Sequence, residues 1–250
     1  MRLCIVLILA ATTFLSPVSA ADWGNLQMRL VYDGQPPAPK RFNAGSAGEM
    51  ADESLLVNEN DRGIQNVFVY LYAPNESVAV HPEYSQAAAS KLTMKIMGGK
   101  LVPRAAIART TQTLVFQDSD SVSYNLKYEL FQNKPFSALL PAGGSASATF
   151  TAEENMPSQI SCVIHPWLVG QLLVRDNPYF ALSDDHGRIS ISKLPTGKRT
   201  FVVWHERTGF VQRVVRDGQP AGWSRGRLTL DIQPGDNDLG EIKLPPEIFK

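Results

Sequence analysis

The residues most able to do chemistry lie in the stretch CVIHPWL, where Cys162 and His165 are three positions apart. A thiolate and a neutral imidazole on one tight loop can bind the same metal ion. A second histidine and a weak thioether would complete a trigonal set that suits copper. The alternative interpretation is a small buried thiol beside a histidine that donates to a backbone carbonyl. The stretch therefore predicts either a metal site or a part of the core.

The chemical context of this thiol follows from the start of the chain. MRLCIVLILAATTFLSPVSA has an early arginine, an apolar run and small residues at its end, which is the pattern of a signal peptide over residues 1–20. We expect cleavage after Ala20 or Ala21 and a secreted or periplasmic protein. Cys4 leaves with the signal, so Cys162 cannot form an internal disulfide. It is predicted to be an unpaired buried thiol, an intermolecular link or a metal ligand.

Charge and length limit the classes of partner. The chain has 24 basic and 24 acidic residues, and removal of the signal with Arg2 leaves one basic residue fewer. This balance argues against nucleic acid and against an anionic membrane surface as partners. We expect an unidentified protein partner at most, and peripheral or no membrane contact after cleavage. About 230 residues remain, enough for one large or two small domains, and we favour two.

The pattern of the chain predicts an all-β fold. Short runs rich in Val, Ile, Leu, Phe and Tyr recur between turn clusters that contain Gly, Pro and Asp, and no long stretch keeps a helical period. The polar, glycine-containing segment from Arg41 to Arg62 is predicted to be a long surface loop. Candidate strands are LQMRLVY, NVFVYLY, LTMKIM, QTLVFQD, SATFTA, ISCVI, GQLLVRD, GRISISKL, RTFVVWHE and RLTLDI.

The run from Lys91 to Tyr179 resembles a small cupredoxin. KLVPRAAIARTTQTLVFQDSDSVSYN is similar to the family's proline-containing strand and the strands and turn that follow it. PAGGSASATFTAEENMPSQISCVIHPWL resembles the closing segment of amicyanin-type blue copper proteins, including the spacing from cysteine to histidine. The resemblance covers about a third of the chain. It implies a Greek-key β-sandwich with a copper site formed by two histidines, a cysteine and a methionine.

Two of the four ligand positions implied by the resemblance hold other residues. Tyr124 stands before Asn125 where the family has a histidine, and Leu168 stands in the place of the methionine. The axial thioether bond is weak, so its loss matters little. A phenol with a pKa near 10 is a poor substitute for an imidazole in a site that must hold Cu(I). The loss at Tyr124 therefore matters most.

Only Cys162 and His165 then remain as metal ligands, because the other three histidines lie outside the run: His81, His186 and His205. We interpret the copper site as degenerate, with Asn125 and Trp167 as parts of the retained scaffold. The sequence predicts no cofactor, with copper at Cys162 and His165 as the alternative.

The flanks of this run carry a second resemblance. LQMRLVYDGQPP, IQNVFVYLY and FALSDDHGRISISKLPTGKRTFVVWHERTGF are similar to carboxypeptidase-regulatory-like domains, which implies a seven-stranded, transthyretin-like β-sandwich. The predicted organisation is a signal peptide at 1–20, a discontinuous regulatory-like sandwich at 21–87 plus 177–250, and a cupredoxin-like domain at 88–176. The cupredoxin-like domain is inserted in, or joined to, the regulatory-like sandwich.

Other pairs of side chains are weaker candidates for a catalytic site. His205 and Glu206 are neighbours on a predicted strand and point to opposite faces, as strand geometry requires. Glu153 and Glu154 fail as an acid/base pair for the same reason. A Cys162/His165 hydrolase lacks an orienting third residue. Three hypotheses remain: a non-catalytic binding or envelope-structural protein, which we favour, a copper protein with an altered site, and a thiol enzyme.

Overall fold

The computed structural model describes residues 23–74, 76–85 and 89–250. This part of the chain holds twenty-one strands and four short 3₁₀ helices and no α-helix, so the all-β prediction is confirmed. The predicted signal peptide at 1–20 lies outside the described residues. The strands are β1 (Trp23–Tyr32), β2 (Arg41–Asn43), β3 (Glu49–Ala51), β4 (Phe68–Leu71), β5 (Lys91–Met97), β6 (Lys100–Val102), β7 (Ala105–Arg109), β8 (Thr113–Asp118), β9 (Tyr124–Tyr128), β10 (Phe136–Leu140), β11 (Ser145–Thr149), β12 (Ser158–Cys162), β13 (Val169–Arg175), β14 (Phe180–Leu182), β15 (Arg188–Pro195), β16 (Gly197–His205), β17 (Gly209–Phe210), β18 (Arg213–Arg216), β19 (Gln219–Gly222), β20 (Arg227–Ile232) and β21 (Gly235–Leu244). The 3₁₀ helices are Gly45–Ala47, Pro82–Ser85, Ser224–Gly226 and Pro246–Phe249.

Ten strands from the two ends of the chain form one β-sandwich, here called the frame sandwich. One sheet has the order β15-β1-β21-β18-β19, and the other has the order β14-β4-β16-β17 with β20 paired to β16. Their facing side chains form a single apolar core, which includes Leu30, Leu71 and Phe201. The second resemblance implies seven strands, whereas the frame sandwich has ten in the described part of the chain.

Nine strands between β4 and β14 form a second β-sandwich, here called the inserted sandwich. Its sheets have the orders β10-β9-β12-β13-β7 and β11-β8-β5-β6. β13 pairs in parallel with β7, and β5 pairs in parallel with β8, so the chain crosses between the sheets instead of forming hairpins only. Its core includes Cys162, Leu168 and Tyr124. The predicted domain boundaries at 87/88 and 176/177 stay a prediction.

The two sandwiches meet along strands that are buried on both faces. In β4, Val69 and Leu71 face the frame core, while the alternate residues Phe68 and Tyr70 pack across the junction. Leu173 of β13 belongs to the same junction cluster, whereas its neighbours on that strand face the inserted core. Successive side chains of a strand point to opposite faces, so a strand between two cores must be apolar throughout. This explains the continuous apolar runs VFVYL and LLV.

The predicted long surface loop contains ordered structure. β2 and β3 pair as an antiparallel hairpin around the Gly45–Ala47 turn, separate from the four larger sheets. Met50 and Ala44 are buried, and the remainder of the hairpin is largely exposed. The prediction was correct about exposure. It missed the hairpin because three-residue strands give too little alternation to detect.

No helix in the described part of the chain has the length and apolar character needed to cross a membrane.

Candidate functional site

Cys162 is the last residue of β12, and His165 lies on the loop between β12 and β13, at one end of the inserted sandwich. The loop closes on itself: the N–H of Cys162 donates to the carbonyl of Leu168 (3.2 Å), and the N–H of Leu168 donates to the carbonyl of His165 (3.0 Å). The N–H of Val163 donates to the carbonyl of Asn125 on β9 (2.9 Å). Asn125 therefore ties the loop to the sheet through its backbone.

The thiol is buried and has the histidine as its polar neighbour. Cys162 is 4% exposed, and its Sγ accepts the backbone N–H of His165 (3.4 Å). The Sγ lies 3.8 Å from Nδ1 of His165. For an ion such as zinc, metal bonds are about 2.3 Å to sulfur and about 2.0–2.1 Å to nitrogen. These lengths together exceed the separation, so one ion could bind both atoms.

Tyr124, the first residue of β9, packs against the histidine but directs its hydroxyl elsewhere. Its ring centroid lies 4.8 Å from that of His165, and its hydroxyl donates to Oδ2 of Asp120 (2.7 Å). Burial, followed by the hydrogen bond to Asp120 and the negative charge of that carboxylate, raises the pKa of Tyr124 well above its usual value. The phenol is therefore protonated and acts as a donor, which is unsuited to metal ligation.

Asp120 connects Tyr124 to the turn between β5 and β6. Its carboxylate accepts the N–H groups of Gly98 (2.7 Å) and Gly99 (2.9 Å) as well as the tyrosine hydroxyl. Burial opposes ionisation, but these hydrogen bonds outweigh it and lower the pKa of Asp120. Both glycines have positive φ, which a side chain would disfavour. The carboxylate thus holds this turn beside the loop.

Leu168 occupies the fourth position implied by the resemblance. Its side chain is fully buried in the core of the inserted sandwich. Its aliphatic carbons offer no bond to a metal. No group of three or more His, Cys, Asp and Glu side chains within the described ranges is placed to hold a metal ion. Cys162 and His165 are two donors without a third, so the residues do not fit a trigonal copper site.

Trp167 is part of the same loop and lies beside the hairpin. Its ring centroid lies 5.1 Å from that of His165, and its Nε1 is buried with no acceptor among the described residues. A Cβ on Gly99 would lie 3.3 Å from this nitrogen, and a Cβ on Gly45 would lie 4.0 Å from Cη2. The small residues of two turns therefore let the backbone approach the indole ring closely.

Sequence reasoning missed the buried charges at the junction of the sandwiches. Arg175 is 2% exposed, and its guanidinium donates to the carbonyl oxygens of Glu154 (2.8 Å) and Leu71 (2.8 Å). It also forms an ion pair with Glu153 at 3.0 Å and lies over the ring of Tyr70. Because Leu71 belongs to the frame sandwich, Arg175 links the two units. The position of this arginine directly after the apolar run LLV was the sequence signal that could have indicated a buried charge.

The two adjacent glutamates have separate structural roles. The carboxylate of Glu154 is fully buried and accepts the N–H groups of Phe131, Gln132 and Asn133. Burial and a hydrogen bond with Asp176 raise the pKa of Glu153 to about 7, although the charge of Arg175 opposes this shift. The two carboxylates do not face one reacting position, but strand geometry is not the reason: both residues lie on the loop between β11 and β12.

His205 and Glu206 also have different surroundings. Burial lowers the pKa of His205 to about 3, assisted by the charges of Arg207 and Arg104, so the ring is neutral at physiological pH. Glu206 instead forms a two-bond ion pair with Arg104 of the inserted sandwich, at 2.9 and 2.5 Å. This pair is a second polar link between the two sandwiches.

Comparison with known proteins gives partial similarities to solved structures. No family model and no curated protein matches the chain. The chain is similar to a purple cupredoxin from Nitrosopumilus maritimus (23% identity, 33% of this chain and 97% of that chain, TM-score 0.28). It is also similar to an amicyanin mutant in the reduced state (16% identity, 42% of this chain and 99% of that chain, TM-score 0.30). A Cu-containing nitrite reductase from Thermus scotoductus SA-01 matches over 42% of this chain and 25% of that chain (18% identity, TM-score 0.30). The chain is an all-β protein whose structural neighbours are cupredoxins.

Proposed function

We propose that this is an exported, non-catalytic protein whose cupredoxin-like sandwich carries a degenerate type 1 copper site, and that it acts by binding a protein partner or as a structural part of the envelope. The observation that carries the proposal is the hydrogen bond from Tyr124 to Asp120. The residue at the position of the missing histidine is a protonated donor bound to a carboxylate. It leaves Cys162 and His165 without a third ligand.

The frame sandwich is assigned to the carboxypeptidase-regulatory-like type in this proposal. Its DG-x-P turn, its apolar β4 and the DDHGRISISKLPTG segment support the assignment. Domains of this type space or stabilise other modules and bind partners, and they contribute no catalytic residues. The predicted signal peptide supports export to the periplasm or the exterior.

The burial of Cys162 supports a non-catalytic role over a thiol enzyme. A nucleophilic cysteine needs access to substrate and an ionised sulfur. This Sγ is buried and already accepts a backbone N–H, and the hydroxyl of Tyr124 points to Asp120 instead of orienting His165. Slow alkylation of Cys162 at neutral pH is the expected result, and fast alkylation would favour the enzyme.

A second candidate function is copper handling by an altered site. The observation that favours it is the 3.8 Å separation between Sγ of Cys162 and Nδ1 of His165. A soft thiolate and an imidazole can together bind Cu(I), which accepts low coordination numbers more readily than Cu(II) does. Such a pair would store or transfer the ion without the trigonal geometry of a blue copper site.

The two candidates are separated by titrating the reduced mature protein with Cu(I) and with Cu(II). Visible absorption and bound copper after dialysis are measured for the native chain and for Cys162→Ser and His165→Gln. The proposal predicts no thiolate-to-copper band and substoichiometric copper, with no difference among the three proteins. Stoichiometric copper that both substitutions remove would overturn it in favour of copper handling.

A further inference from the structure

A cleft of about 530 Å³ lies where the hairpin, the inserted sandwich and the frame sandwich meet. Phe42 and Met50 come from the hairpin, Lys100 and Trp167 from the inserted sandwich, and Glu206 from the frame sandwich. Small-molecule sites are commonly found at such junctions, with volumes of about 300–1,000 Å³. The cleft has the size for a small ligand.

The acidic residues of the cleft are already paired. Glu53 contacts Nζ of Lys100, and Glu206 forms its two-bond pair with Arg104. Asp52 lies 3.4 Å from Arg207. Burial would raise the pKa of Asp52, but hydrogen bonds from Ser54 and the charges of Arg207 and Arg104 lower it. Each of these three carboxylates already has a cationic partner, so the cleft shows no free acidic side chain for a cationic ligand.

Two cations at the rim are available to a ligand. Lys40 lines the cleft and has no ion pair with the described residues. Among the described residues Arg41 forms an ion pair only with Glu49, at 3.3 Å, and these two side chains are 66% and 64% exposed. Exposed pairs of this kind contribute little free energy, so a ligand could compete for the guanidinium. The rim therefore favours an anion.

Part of the cleft lining is apolar. Met50 is buried, Trp167 is half-buried and Phe42 is 37% exposed, and Val169 lies beside them. An aromatic and thioether surface of this kind packs well against a ring or a short alkyl chain. The cleft thus combines apolar lining residues with two exposed cations at its rim.

We propose that the cleft binds a small carboxylate with an aromatic or short alkyl tail. The carboxylate meets Lys40 and Arg41 at the rim, and the tail packs against Phe42, Met50 and Trp167. A bidentate carboxylate–guanidinium pair supplies orientation, and burial of the tail supplies affinity. This site goes beyond the proposed function, because it requires no copper and uses neither Cys162 nor His165.

The test is calorimetric titration of the mature protein with benzoate, phenylacetate and 3-phenylpropionate, and with 3-phenylpropanamide as the uncharged analogue. We expect saturable one-to-one binding, with affinity rising up to about fourfold for each added methylene. The amide should bind about tenfold more weakly, because it lacks the charge that meets the rim. No saturable binding of 3-phenylpropionate would overturn the proposal.

Variants locate the binding site. The pair Lys40→Met and Arg41→Gln should weaken carboxylate binding about tenfold and leave amide binding unchanged. Phe42→Ser should weaken both. Lys91→Met, at the far end of β5 and exposed, is the matched control and should change neither. Binding that the rim pair does not weaken would overturn the proposal, whatever the outcome of the copper titration.

Discussion

The hydroxyl of Tyr124 donates to the carboxylate of Asp120 at 2.7 Å, while its ring packs against the imidazole of His165. A side chain at a predicted ligand position therefore takes part in a hydrogen-bond network that also includes Gly98 and Gly99. This network connects β9 to the β5–β6 turn. A metal ion would crosslink the same end of the sandwich, so the network can stabilise the loops without one.

The network predicts that Tyr124→Phe destabilises the protein. The change removes a hydrogen bond to a charged acceptor and leaves the ring in place, which costs about 2 kcal/mol of unfolding free energy. Denaturant unfolding measures the difference. Tyr128→Phe is the matched control, since this residue is on the same strand, equally buried, and its hydroxyl has no hydrogen bond with the described residues. Equal effects of the two substitutions would contradict the role of Asp120.

We predict that the two sandwiches unfold as a unit, because Arg175 links them. Arg175→Met leaves the carbonyl oxygens of Leu71 and Glu154 without their donor and Glu153 without its ion pair. We expect a loss of about 3–5 kcal/mol, the usual cost of removing one partner of a buried pair. Thermal unfolding followed by calorimetry measures it. Arg213→Met, at an exposed arginine, is the control and should change stability by less than about 0.5 kcal/mol. A loss as small as the control's would contradict the junction's role.

The raised pKa of Glu153 predicts that the stability of the protein depends on pH. Its pKa is raised from the usual 4.5 to about 7 in the folded chain, so the folded state holds the proton more tightly than the unfolded state does. The contribution of protonated Glu153 to the unfolding free energy is complete below pH 4.5 and is lost as pH rises through about 7. Glu153→Gln, which stays neutral, should flatten the fall in unfolding free energy between pH 5 and 8.

The exposed glutamate Glu129 provides the control for this pH series. Glu129→Gln should leave the slope of unfolding free energy against pH unchanged. If Glu153→Gln leaves it unchanged as well, another group must carry the dependence.

Much of the fold could be predicted from the sequence, because alternation and turn residues are local signals. The strands near Leu26, Phe116 and Ile160 follow from alternating apolar residues. β7, with the sequence AAIAR, was missed because small alanines give a weak signal although the strand is buried on both faces. The β2–β3 hairpin was missed because its strands are too short.

The site could be predicted only in part. The spacing of Cys162 and His165 predicts that they lie close together. The structure brings their side chains together, with Cys162 at the end of β12 and His165 on the loop that follows. The partner of Tyr124 could not be identified, since Asp120 reaches it only through the turn that follows β8, and sequence spacing does not fix the path of such a turn. Arg175 was missed because its partners Leu71 and Glu154 lie on other segments.

We propose that the inserted sandwich keeps the scaffold of a copper site and has lost two of its ligands. The most direct measurement is visible absorption of the Tyr124→His, Leu168→Met double variant after Cu(II) is added. The substituted histidine would lie beside His165, where the tyrosine ring now packs, and the methionine would replace the buried Leu168. We expect an intense thiolate-to-copper band that disappears when Cys162→Ser is added. A colourless double variant would contradict it.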